Sequence, residues 1–298
     1  MKSFCRQVLE KYHFKTYSIK KLNAGAASVI YIANTNKGLI VIKIRIHDGG
    51  NLEKEYYILR AIEKKNIAPK AYAQGVINGQ KYLIEDYVKG RRLPRHKIKD
   101  KDVKLVAKFF KKLHSIKLTK ELKKLPIGKS KPEEKLNYAK SFQHLSKPFT
   151  KLVKKSEVII SNTKVKTRLA LRHADPNPYN LIVNKNRLIV IDWEESKIGH
   201  PAIDIADFIV KANLTKKQQE IFYKNYILNA TMKKEVEVYI ITAILGLIAW
   251  HLERIDNIKK GKLDKRLYTT LEKENKLKND KINDAEKIIN QYILENNS

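Results

Sequence analysis

The sequence predicts an α+β chain of two unequal lobes, a small β-rich N-terminal lobe over residues 1–88 and a larger, mainly helical lobe over residues 89–298. Three observations predict it. Apolar alternation with period two dominates residues 17–46 and returns at 81–88. Helical spacing of apolar residues takes over from residue 101. Between them Gly90 and Pro94 punctuate the chain, and 298 residues suit one large domain or two lobes.

The elements follow in order. Residues 17–46 carry a Gly-bearing turn at Gly25, the run VIYIA, a turn over Asn34–Gly38 and the run LIVIKIRI, which reads as strands joined by turns. Residues 51–65 change to a helical period, with Leu52, Tyr56, Leu59 and Ile62 as the stripe and Pro69 beyond its end. KYLIEDYV (81–88) is a further strand, and the lobe boundary falls near residue 88. Residues 101–115 form an amphipathic helix on Val103, Val106, Ala107, Phe110 and Leu113. Residues 116–135 are basic and polar, with Pro126 and Pro132, and read as a loop or mobile insertion. A helical stretch follows over 136–166, a loop and hairpin over 169–193, and helices again over 203–291. A cleft between unequal halves is a common ligand site.

Composition narrows the class. With 43% hydrophobic residues the chain can bury a sizeable core, which excludes wholesale disorder. The single Cys5 makes no internal disulfide, and it reads as a small near-terminal side chain rather than a reactive thiol. The N-terminus lacks the apolar core of a signal peptide. The longest apolar run, Val238 to Trp250, is shorter than the roughly 20 residues a bilayer crossing needs. No stable membrane insertion and a cytoplasmic location are therefore expected. The formal charge of +31 admits an anionic partner or nucleic acid, with residues 97–135 as the most basic stretch; lysines that merely solvate the surface account for it equally simply.

Chemistry concentrates between Leu169 and Phe208. NLIV (180–183) and LIVI (188–191) flank a polar turn and predict a β-hairpin, which sets Asn180 beside Asp192 at one end. Asp175 lies five residues before Asn180, and His173 two before that. Mg²⁺ is a hard cation that takes oxygen ligands and shares them with phosphates, so Asn180 and Asp192 are candidate metal ligands. Asp175, left free of the metal, is a candidate base for an attacking hydroxyl. No Cys/His set has zinc spacing, no Gly-x-Ser-x-Gly elbow occurs, and neither glycine-rich nucleotide fingerprint is present.

His173-Ala174-Asp175, Asn180 and then Ile191-Asp192-Trp193-Glu194, followed by GHPAIDIADF (199–208), resemble the aminoglycoside phosphotransferase and choline kinase family, whose members share the protein-kinase-like fold. The resemblance covers most of the chain, but only this segment is highly specific. It implies an ATP-dependent phosphotransferase moving the γ-phosphoryl group to a hydroxyl of a small metabolite, with ATP and Mg²⁺ as cofactors. Asp175 becomes the catalytic base, His173 a brace of the catalytic loop, Asn180 and Asp192 the Mg²⁺ ligands, and Asp204 a structural anchor. One departure stands out: the family usually has Gly where this chain has Ala174, which a positive φ would strain.

A kinase-like site also needs a strand lysine aimed at the phosphates. In GLIVIKIRI, Lys43 shares a face with Leu39, Val41 and Arg45. Of the two acids on the next helix, Glu55 flanks the inward stripe and Glu53 does not, so Glu55 is the expected partner. LNAGAASVIYIA resembles the family's phosphate-covering loop, with backbone N–H groups from Gly25 and Ala26 to Ser28 facing phosphate. YLIEDYVKG resembles the hinge strand, where backbone groups of Glu85 to Tyr87 would bond adenine. The family's acceptors include aminoglycosides, choline, ethanolamine, homoserine and sugars. The basic charge disfavours a polycationic acceptor, although Glu194, Glu195 and Glu253 are candidates for a local acidic pocket. Trp250 is a core residue or a cation–π face for a quaternary ammonium; Trp193 is expected to pack. The alternative is a kinase acting on a protein or RNA-associated target, suggested by the charge and the basic stretch.

Overall fold

The structure is a computed structural model that describes residues 1–22, 28–46, 51–94, 97–128, 131–262 and 270–297. The N-terminal part is built on five antiparallel strands: β1 (Thr16–Lys21), β2 (Ser28–Thr35), β3 (Gly38–Arg45), β4 (Ala71–Ile77) and β5 (Gln80–Asp86). Their order across the sheet is β1-β2-β3-β5-β4, which puts β3 at the centre. The period of two gives β3 two different faces. Ile40, Ile42 and Ile44 turn outward, where α1 (Lys2–Lys11) covers them with Cys5, Val8 and Leu9. Lys43 and Val41 turn to the other face. Register pairs Val41 with Glu85 and Lys43 with Leu83, so Glu85 is the diagonal neighbour of Lys43 on that face. Strand β4, absent from the sequence reading, closes the sheet edge beside β5.

Helix α2 (Leu52–Ile62) starts at an N-cap, where the Asn51 side chain accepts the Lys54 N–H. Its buried stripe is Leu52, Glu55, Ile58, Leu59 and Ile62. The apolar members join the large core of the helical part, so α2 bridges the sheet to the rest of the molecule. That part contains α3 (Asp100–His114), α4 (Pro132–Phe142), α5 (Lys147–Ser161), α6 (Ala202–Ala212), α7 (Lys216–Tyr226), α8 (Ala230–Lys259) and α9 (Leu271–Asn297). The connector is not idle: β6 (Arg91–Arg92) pairs with β8 (Leu181–Asn184), which pairs with β9 (Arg187–Val190). A short ladder of β7 (Ala170–Arg172) and β10 (Lys197–Gly199) holds the segment just before the Asp175 loop.

Two expectations are refined. Residues 116–135 are not a detached insertion, because Ile116 and Leu122 are core residues, Ile127 bridges to Ile198, and α4 begins at Pro132. The Val238–Trp250 run is part of the 30-residue α8, which by length and composition alone would cross a membrane; 78% of its apolar window is buried inside the protein. It packs against α4, α5, α6 and α9, and a helix surrounded by others is apolar nearly all round.

Candidate active site

The face of β3 that carries Lys43 meets α2 and the end of the hairpin. Lys43 Nζ donates to Glu55 Oε1 at 2.7 Å and lies 3.2 Å from Glu85 Oε1. Burial alone would lower the lysine pKa, but Glu55 and Glu85 outweigh it, and Lys43 stays firmly protonated. Glu55 Oε1 also accepts the backbone N–H of Trp193, at 3.0 Å. One carboxylate oxygen therefore joins the strand lysine to the residue that follows Asp192. The Glu85 carboxylate was not anticipated, since only its backbone entered the hinge expectation; its diagonal register to Lys43 is what places it here. The Tyr87 N–H donates to the Leu39 carbonyl at 3.1 Å. That amide is thus spent within the sheet and is no adenine donor in this geometry. Gly25 and Ala26 lie outside the described residues.

The hairpin delivers the other half. Leu181 pairs with Val190, and the Ile191 N–H donates to the Asn180 carbonyl at 3.0 Å, so Asn180 and Asp192 sit at one end as the spacing predicted. Asn180 Nδ2 donates to Asp175 Oδ2 at 3.1 Å, which leaves Asn180 Oδ1 for a cation. His173 is fully buried. Its Nδ1 accepts the Asp175 N–H at 3.3 Å, so its Nε2 is the donor to the Ile191 carbonyl, 3.1 Å away. The ring links the Asp175 loop to the hairpin and edges onto Trp193, which is itself buried as expected. Asp204 anchors the loop from below, taking the N–H groups of His173 (2.8 Å) and Ala174 (3.1 Å) and Arg172 Nε (3.1 Å). Burial opposes its ionisation, but the Arg172 charge and the His114 hydrogen bond prevail and hold its carboxyl far below the usual range. Ala174 has φ 65°, the strained value that its identity raised as a concern.

Asp175 Oδ1 accepts Lys211 Nζ at 2.6 Å. Burial pushes the Asp175 carboxyl up, but the Lys211 charge and hydrogen bond overcome it, and its pKa lies below the ordinary value. Lys211 was missed. The usable signal was its place seven residues after Asp204 and four after Asp207, a polar stripe on an otherwise apolar helix.

The acid-rich side suits a cation. Glu55, Asp192 and Glu194 offer oxygens within 4.8 Å of one another. With Glu85 they make four carboxylates against three cations, Lys43 and Arg45, which pair with them, and Lys54 nearby; Arg45 is bound to Glu194 at 3.0 Å. The imbalance shows in the titrations. Burial, with neighbouring acids adding to it, raises Asp192 and Glu194 despite Lys43 and Arg45, and takes Glu85 up to about 7. Glu55 Oε2 and Glu85 Oε2 are buried without a partner among the described residues. Hard oxygen donors with unbalanced negative charge fit Mg²⁺.

The expected acidic acceptor pocket does not assemble from the named residues. Glu194 is held by Arg45, Glu253 takes the Tyr138 hydroxyl at 2.9 Å, and Glu195 is exposed. Trp250 is not core: it is 43% exposed, with the Arg254 guanidinium 4.6 Å above its ring.

A strand lysine paired to a helix glutamate, facing a loop and hairpin that gather Asp175, Asn180 and Asp192, defines a phosphotransferase of the protein-kinase-like fold. The profile of the phosphotransferase enzyme family matches residues 18–234, and the chain belongs to that family. A LicA homolog of Metamycoplasma hominis is 26% identical over 206 residues, 66% of this chain and 74% of that protein. A choline/ethanolamine kinase family protein from Mesorhizobium loti superposes with a TM-score of 0.71 at 16% identity, covering 95% of this chain and 90% of that one. The choline kinase LicA from Streptococcus pneumoniae superposes with a TM-score of 0.67 at 17% identity, covering 98% and 99%.

Proposed function

We propose that this chain is an ATP-dependent phosphotransferase that moves the γ-phosphoryl group to a hydroxyl of a small metabolite, of the choline/ethanolamine, amino-alcohol or sugar type. The observation that carries the reading is Glu55 Oε1, shared between Lys43 Nζ and the Trp193 N–H, because it couples a phosphate-binding lysine to a metal-binding loop. Lys43 would orient the α and β phosphates, held by Glu55. Asn180 Oδ1 and Asp192 would hold Mg²⁺, which neutralises charge on the phosphates when bound. Asp175 would orient the acceptor hydroxyl and take its proton as the oxygen attacks phosphorus in line. His173 would keep the Asp175 loop in register with the hairpin.

We also take residues 1–88 as the nucleotide lobe and 89–298 as the catalytic and acceptor lobe, with β6 as the strand that joins the connector to the hairpin. The packed α8 supports the expected cytoplasmic location. The basic stretch 97–135 supplies core residues, so it is part of the packed helical lobe rather than a separate arm for a macromolecular acceptor.

Mg·ATP with an acceptor panel, followed by ADP release, tests the reading. General-base catalysis is worth roughly 10²–10⁴-fold, so Asp175→Ala should lose turnover on that scale while retaining nucleotide binding. Asp192→Ala should weaken Mg·ATP binding itself. Wild-type turnover by Asp175→Ala would overturn the assignment.

A further inference from the structure

The two oxygens of Asp175 face different neighbours. Oδ2 is turned to Asn180, on the side of the metal-binding oxygens, and Oδ1 is turned to Lys211. On the phosphotransferase reading the metal and phosphates take the Asn180 side, which leaves the Lys211 side for an acceptor hydroxyl. One turn earlier on the same face of α6, Asp207 Oδ1 holds Lys135 of α4 at 2.9 Å, and Arg172 Nη2 lies 3.8 Å from Asp207 Oδ2. Each of these three carboxylates therefore already has a cation of the chain: Lys211 for Asp175, Arg172 for Asp204, Lys135 for Asp207. The Lys211 side chain keeps 31% of its surface exposed and that of Lys135 22%, and burial lowers the Lys135 pKa, so Lys211 is the more open of the two.

Neither tryptophan gives a cationic acceptor a face. A quaternary ammonium is held by open aromatic faces, and the tryptophans do not offer one: Trp193 is buried and Trp250 lies under Arg254. To reach Asp175 a cation would also have to displace Lys211 against its charge. An anion does the reverse, since a lysine ammonium on a flexible stem can leave one carboxylate for another.

We propose, resting on the phosphotransferase reading above and narrowing its acceptor range away from choline and ethanolamine, that the acceptor is a hydroxyl compound that also carries an anionic group, a carboxylate or a phosphate ester, and that Lys211 is the residue that selects it. Lys211 Nζ moves from Asp175 Oδ1 to the substrate anion, with Lys135 as the second cation. The freed Oδ1 then takes the hydroxyl proton as the substrate oxygen bonds to the γ-phosphorus. The bond from that phosphorus to the bridging oxygen breaks, and its electron pair leaves with ADP. The balance is ADP, a phosphorylated acceptor and a proton on Asp175. An acceptor without an anion leaves Oδ1 tied to Lys211.

The test compares acceptors of matched size with Mg·ATP: homoserine and glycerate for the carboxylate, glycerol 3-phosphate for the phosphate ester, and choline, ethanolamine and glycerol as cationic and neutral controls. The expected result is at least a tenfold higher kcat/KM for one of the anionic acceptors, and which one responds separates carboxylate from phosphate. Losing a charge-assisted contact should raise the KM for that acceptor roughly 10- to 100-fold in Lys211→Met. Its KM for ATP should stay within about twofold, since Lys211 lies on the acceptor side. Lys211→Arg should keep the preference, and Lys211→Glu should turn it toward choline. Preferred transfer to choline, ethanolamine or glycerol by the wild type overturns the inference and leaves the phosphotransferase reading standing; so does a KM for the anionic acceptor that Lys211→Met leaves unchanged. No transfer to any acceptor overturns both. If the variants fail to fold, the wild-type preference alone decides.

Discussion

At the scale of the residue, Ala174 is a place where this chain carries strain. A non-glycine residue in the left-handed region costs about 1–2 kcal/mol, and Ala174 at φ 65° is held there by its N–H bond to Asp204. Glycine would relieve that cost but would free the unfolded chain by about 0.4–1 kcal/mol. Ala174→Gly should therefore raise stability by up to about 1 kcal/mol in urea unfolding and leave turnover near wild type; a loss of stability would mean that the methyl group packs. His173, Asp175, Asn180 and Asp192 were legible in the sequence because local spacing and one hairpin bring them together. Lys211 was not, because its partner lies 36 residues away and its one signal, a place on the polar stripe of Asp204 and Asp207, names no partner among 62 basic residues. Trp250 was misjudged for a related reason: an apolar run says that a helix is buried, not which of its residues reaches the surface.

At the scale of the element, the connector and the β8–β9 hairpin act as one unit. Gly90, at φ 155°, lies against β8 so closely that an added Cβ would sit 2.5 Å from the Val183 carbonyl oxygen and 2.6 Å from Ile182 Cγ2. Neither a backbone oxygen nor a buried ladder yields easily. Gly90→Ala should cost about 1–3 kcal/mol by overpacking. Because β8 begins at the residue after Asn180, it should also lower kcat, which unfolding curves and ADP release would show together; unaltered stability would mean that the β6–β8 pairing is dispensable. The elements with strong periodicity, β2, β3, β5, β8, β9, α2 and α3, were legible from that periodicity. Those that were not have physical reasons. β4 (AYAQGVI) is poor in β-branched residues and is a strand because β5 is beside it. β6 is two arginines whose pairing the hairpin decides. α1 makes sense only once the Ile40-Ile42-Ile44 face is seen to need a cover.

At the scale of the whole molecule, the +31 charge describes the surface, whereas pH dependence is governed by buried groups of opposite sign. Burial lowers His114, His200 and His251 from the usual histidine value despite carboxylates near each, with His200 down to about 4. Burial raises Glu85 to about 7 and lifts Asp192 and Glu194. A histidine that binds its proton less readily when folded contributes stability above pH 6.5, which is lost as pH falls toward the folded value. A carboxyl raised on folding works the other way, gaining stability as pH falls through about 7 toward its unfolded value. The two sets partly cancel, so stability against pH should be shallow for the intact protein, and a single-residue difference isolates one member. His200 is the clearest choice, since it is buried and its Nδ1 accepts the Ala202 N–H at 3.2 Å. Asparagine can accept that N–H and does not titrate. The stability advantage of wild type over His200→Asn should shrink by up to about 3 kcal/mol between pH 7 and pH 4, measured by urea unfolding of both proteins across that range. A difference that stays constant would mean that His200 has the same pKa folded and unfolded, and one that grows as pH falls would mean that Glu235, whose Oε2 is 3.5 Å away, holds it protonated.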